Sequence, residues 1–147
     1  MPTVRSKWGA VHGDCCSFPS ALYDDARIRV ESWRDVQEQG IHAAGNLLGE
    51  ERPFANVPWF WSDQYDLTLQ IAGQTSAGSR VVRRDLADGA FMMFHLDSEG
   101  RMVAASEIGR GNSIAKDIRL AEILITSRAR PDVSALSSPD VRLKSLL

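Results

Sequence analysis

The sequence has little of what marks several large protein classes. Among its 147 residues are two cysteines, Cys15 and Cys16. They are neighbours in the chain, where disulfide geometry is rarely met, so they read as reduced thiols. Three histidines, His12, His42 and His95, fall at no metal-ligand spacing. No apolar run approaches the ~18 residues of a membrane span, and positions 1–10 carry Arg5 and Lys7 without a signal-peptide core behind them. The net charge of −2 leaves no positive excess for neutralising phosphates. Neither nucleic acid nor a membrane is therefore an expected partner, and the chain reads as cytoplasmic. There is also no G-x-G-x-x-G and no Walker loop. The glycine-rich stretch at 109–113 reads as a turn with a helix N-cap.

What is present suits a folded core. The composition is 44% hydrophobic and 24% charged, and a chain of this size buries about two-thirds of its surface without staples. Trp33, Val36, Ile41, Ala44, Leu47 and Leu48 recur near helical spacing over 31–48, and Gly49 stands where a helix stops. The alternation of Tyr65, Leu67, Leu69 and Ile71 with polar residues predicts a half-buried strand. Further strands are expected at 80–86, 90–96 and 102–108, with turns at Asp88 and Gly89 and at 97–100. Their short connections make them mainly antiparallel. Asn112 or Ser113 caps a second helix running to about Ser127, with Ile114, Ile118, Ala121 and Ile125 on one stripe. The fold class is α+β: an antiparallel sheet of four to five strands with flanking helices.

Few residues declare a chemistry. Arg80, Arg83 and Arg84 are either an edge strand kept soluble by charge or a receptor for an acidic partner. Trp59 and Trp61 are either packing between elements or a flat surface near a planar cofactor.

Four segments carry a resemblance. VPWFWSDQY at 57–65, running into 67–73, resembles the opening of the C-terminal domain of FAD-dependent ferredoxin reductases of the putidaredoxin, rubredoxin and biphenyl-dioxygenase type. RVESWRDVQEQG at 29–40 is similar to their flavin-side helix, and GDC at 13–15 to the end of their second FAD motif. The stretch 132–147, with SPD at 138–140 and LKSLL at 143–147, resembles their C-terminal tail.

The resemblance implies a remnant of the FAD-binding domain at 1–53 and a reductase C-terminal domain at 54–147. It implies electron transfer from NAD(P)H through FAD to a 2Fe-2S ferredoxin or a rubredoxin-like carrier. On that footing Asp14 lies at the ribityl-pyrophosphate side of FAD, Glu31 and Trp33 lie beside the flavin, and Trp61 lies against the isoalloxazine on the electron path. The family's G-x-G-x-x-G and NAD-binding domain should precede Gly13, where twelve residues stand. The NAD(P)H site is thus expected to be absent and the isolated chain inactive. It would be a fragment, or a non-enzymatic module pairing with a separate FAD/NAD subunit. The apolar side of the 31–48 helix and the Trp59 to Trp61 cluster would lack their covering surfaces and promote self-association.

Overall fold

The computed structural model describes residues 5–6, 9–10, 12–50, 52–111 and 115–147. They form two compact units, Met1–Pro58 and Trp59–Leu147.

In the first unit β1 (Arg5–Ser6) pairs antiparallel with β2 (Gly9–Ala10). A second ribbon joins β3 (Ser17–Ser20) to β4 (Ala26–Arg29), with Ser17 opposite Arg29 and Ser20 opposite Ala26. Asp24 and Asp25 turn the chain between them in the left-handed region, which a short side chain that bonds locally tolerates. A short strand-like alternation at Arg27 to Val30 marks β4 in the sequence, whereas the four residues of β3, with Pro19 among them, carry no alternation long enough to read.

Helix α1 (Trp33–Leu47) starts at Ser32, whose hydroxyl accepts from the Asp35 N–H at 3.4 Å. Gly49 follows at φ +97°, the left-handed stop the sequence places there. Phe54 sits 5.3 Å from the rings of both Phe18 and His42, and Ile28, Tyr23 and Ala43 are buried in the same unit. Asn46 exchanges two hydrogen bonds with the Arg52 backbone, at 3.1 and 2.9 Å, closing the chain after α1.

The second unit is one sheet of five antiparallel strands with helices against it. In chain order these are β5 (Trp59–Gln64), β6 (Leu67–Gly73), β7 (Arg80–Asp85), β8 (Phe91–Leu96) and β9 (Met102–Arg110). Their order across the sheet is β5-β6-β9-β8-β7. β9 is central and buried from Met102 through Glu107, as expected of a strand covered on both faces. The β8–β9 hairpin is fixed by Asp97, whose Oδ1 accepts from the N–H groups of Glu99 and Arg101, each at 2.9 Å. Gly73, at φ +83°, lies so close to β9 that a Cβ would fall 2.2 Å from the Val103 carbonyl oxygen.

Helix α2 (Ala115–Thr126) packs on β9 and β6, and α3 (Val133–Ser137) packs on β7. Ile118, Ala121 and Ile125 are buried as the stripe predicts, and Leu124 joins them. Asn112, Ser113 and Ile114, the expected cap and first stripe residue, lie outside the described residues. The expected α+β architecture with an antiparallel sheet is thus present, at five strands.

Candidate functional site

The residues singled out in the sequence fall in both units. In the first, Asp14 is exposed in a turn closed by the Cys16 N–H donating to the Gly13 carbonyl at 2.8 Å. Gly13 adopts φ +93°, a conformation that favours glycine, and a Cβ there would meet nothing within 4 Å. Burial pushes the neighbouring Cys16 thiol up from its ordinary value. Glu31 directly precedes the N-cap and pairs with Arg29 at 2.7 Å. Trp33 is the first residue of α1 and is exposed.

A bond the sequence does not reveal connects these parts. The Gly13 N–H donates to Gln39 Oε1 at 2.9 Å, across 26 residues, and so ties the Asp14 turn to the middle of α1. Gln39 is buried, and its Nε2 has no partner among the described residues. Asp35, Gln39, Ala43 and Asn46 form the covered face of α1, whereas Trp33, Ile41, Leu47 and Leu48 are 70, 68, 72 and 88% exposed.

In the second unit Trp61 lies on edge strand β5, 38% exposed, with its ring stacked on that of Trp59 at 5.3 Å. Stacking follows from the strand period, since positions two apart share a face. Pairing then aligns Trp61, Gln70, Glu107, Met92 and Arg84 in one row across all five strands. The row passes from an exposed aromatic edge into a buried, ionisable interior. Gln70, Glu107 and Arg84 are all buried.

Glu107 has a carboxyl pushed up to about 8, chiefly by burial and next by the like charge of Asp117 on α2, with Arg84 pulling the other way. It accepts a backbone hydrogen bond from Ile118 of α2, and its Oε2 has no partner among the described residues. Arg84 donates through Nη2 to the carbonyls of Pro139 and Val141, holding the C-terminal segment on the sheet. Its Nε and Nη1 have no partner among the described residues.

This geometry corrects one reading of the basic cluster. Arg84 is 4% exposed and cannot receive a partner's carboxylate. Arg83 points to the other face, 4.1 Å over the Phe91 ring and 2.8 Å from Asp85. The alternation itself holds the signal: Arg84 shares a face with Val82, so burying one buries both. A cleft of about 230 Å³ lined by Arg80, Leu96 and Asp97 includes none of Asp14, Glu31, Trp33 and Trp61. Among the described residues no cluster of His, Cys, Asp or Glu could hold a metal, and no helix is long and apolar enough to cross a membrane.

Comparison with known proteins places these features in a family. Residues 59–147 match the family model described as Reductase C-terminal. The ferredoxin–NAD(+) reductase component of the anthranilate 1,2-dioxygenase system of Burkholderia cepacia is 45% identical over 121 residues, covering 82% of this chain and 29% of the relative. Putidaredoxin reductase of Pseudomonas putida is 32% identical over 136 residues, covering 92% of this chain and 31% of its own length. The crystal structure of the covalent putidaredoxin reductase–putidaredoxin complex matches with a TM-score of 0.80 at 30% identity, covering 92% of this chain and 31% of that one. The chain therefore spans 29 to 31% of the length of these proteins. It belongs to the ferredoxin reductases of the putidaredoxin reductase type and corresponds to their C-terminal portion.

Proposed function

We propose that this chain is the C-terminal part of an FAD-dependent NAD(P)H:ferredoxin oxidoreductase. Its first unit lies against the flavin, and its sheet docks a small 2Fe-2S or rubredoxin-like electron carrier. The observation that carries the docking is the Trp59 and Trp61 stack on edge strand β5, with Trp61 open to solvent. A large aromatic surface held rigid by cross-strand pairing suits a protein contact with little entropy to lose. The likeness to a reductase solved in covalent complex with putidaredoxin supports the choice of an iron-sulfur carrier.

The residues present fit FAD. Asp14 is exposed on a turn with open space over Gly13, the N-terminus of α1 follows Glu31, and Gln39 carries a buried amide donor without a partner. The N-terminus of α1 carries the positive end of the helix dipole, which favours negative charge nearby. Asp14, Glu31 and Trp33 are the residues of the first unit that would contact the cofactor. Bound FAD would take a hydride's two electrons and release them singly to an iron-sulfur centre. No G-x-G-x-x-G lies within these 147 residues, so binding the nicotinamide would fall to other residues.

A second reading, a non-enzymatic module that pairs with a separate FAD/NAD subunit or with itself, has one observation in its favour: the exposed apolar stripe of α1. The docking reading is tested by titrating oxidised putidaredoxin into the chain while following tryptophan fluorescence. Saturable quenching that weakens with salt and drops in Trp61→Ala supports it. Absence of quenching, or identical quenching in Trp61→Ala, removes the docking surface from β5.

A further inference from the structure

Gln39 stands out as a buried polar side chain whose cost nothing in the packing of α1 explains. Its neighbours on the covered face have local roles. Asp35 completes the cap with Ser32, and Asn46 closes the loop to Arg52. Gln39 accepts from the distant Gly13 N–H at 2.9 Å and leaves Nε2 buried without a partner among the described residues. A leucine or methionine would fill a similar volume without orphaning Nε2, but it would leave the Gly13 N–H without its acceptor.

We propose that Gln39 is the positioning residue of the Asp14 turn. Its carboxamide oxygen holds the Gly13 N–H and fixes the turn that presents Asp14 to the body of α1. This rests on the flavin reading of Asp14. Gly13 has left-handed backbone freedom, and the bonds from Cys16 N–H to the Gly13 carbonyl and from the Cys15 thiol to the His12 carbonyl close the turn on itself, whereas the Gln39 bond joins it to α1. Gln39 sits on the same face of α1 as Asp35, one turn along from the first turn of the helix. Asp14 and the start of α1 therefore move as one body, and a ligand contact made at the turn is transmitted to the helix. Gln39 itself touches no ligand in this scheme; it acts through Gly13.

The test compares the full chain with Gln39→Met, which keeps the volume and removes the acceptor, and Gln39→Glu, which keeps an acceptor. Gly13 amide exchange is read by NMR and helix content by circular dichroism. Gly13 exchange should rise by about tenfold in Gln39→Met and stay near the parent rate in Gln39→Glu, with helix content unchanged in both. Unchanged Gly13 exchange in Gln39→Met overturns the proposal, as does equal acceleration in both variants. FAD titration by flavin fluorescence separates the underlying reading. If the parent binds FAD, Gln39→Met should weaken it several-fold, and unaltered affinity overturns the positioning role. If the parent does not bind FAD, the flavin role of Asp14 fails in this chain, while the exchange result still decides whether Gln39 holds the turn.

Discussion

Helices α1 and α2 belong to different units and use their residues in opposite ways. α2 turns Ile118, Ala121, Leu124 and Ile125 onto the sheet and closes an apolar core. α1 turns Asp35, Gln39 and Asn46 inward, Asp35 and Asn46 in local hydrogen bonds and Gln39 in one to the distant Gly13, and leaves Trp33, Ile41, Leu47 and Leu48 outside. Helix α2 thus draws its stability from area removed from water, whereas α1 is held on its covered side by specific polar contacts with its apolar stripe uncovered. Periodicity finds both helices and the covered side of α2; only the structure tells which side of α1 is covered.

Substitutions sharpen this contrast. Leu124→Ala should lower stability by about 3 kcal/mol in urea unfolding, because it opens a cavity under α2. A loss below ~1 kcal/mol would mean that the sheet does not depend on α2. Arg84→Ala should cost about 2 to 3 kcal/mol and release the C-terminal segment to proteolysis at Arg142, since the Pro139 and Val141 carbonyls lose a charged donor. Unchanged proteolysis would separate Arg84 from that segment.

The buried carboxyl of Glu107 adds a pH dependence. Its folded value of about 8 lies above the ordinary 4.5, so between those values the folded chain keeps a proton that the unfolded chain has lost. Stability then falls as pH rises through that window, by up to about 1.4 kcal/mol per unit, and the loss is complete above it. Glu107→Gln should flatten this slope and exceed the parent in stability at pH 8 and above. Parallel curves for parent and variant would contradict the assignment.

The smallest effects are expected in the first unit. Ser32→Ala should cost about 1 kcal/mol of helix stability, read by circular dichroism during denaturation, through loss of the cap to Asp35. Leu47→Ala, at an exposed position, should change stability by less than ~0.5 kcal/mol and reduce any concentration-dependent association seen in sedimentation.

The sheet was largely legible in the sequence. β6 to β9 follow from alternation bounded by Asp and Gly turns, and the register then places Glu107 and Arg84 on one face. β5 was not legible as a strand, because Trp59, Phe60 and Trp61 are apolar on both faces and hide the period of two. Arg84 read as a surface charge because its partners, two backbone carbonyls 55 and 57 residues away, leave no mark in sequence. Gln39 was invisible for the same reason: its partner is an N–H, which every residue but proline carries. The flavin roles of Asp14, Glu31, Trp33 and Trp61 came from resemblance; of the four, Trp61 alone was also marked by its pairing with Trp59 as packing or a surface near a planar cofactor.

The division of labour between the two units is tested most directly by mapping putidaredoxin onto the full isotope-labelled chain by amide chemical shifts. Shifts centred on Trp61 and the β5 edge, with the outer side of α1 unperturbed, are expected if the second unit docks the carrier. Shifts centred on Trp33, Ile41 and Leu48, or none at saturating carrier, would contradict it.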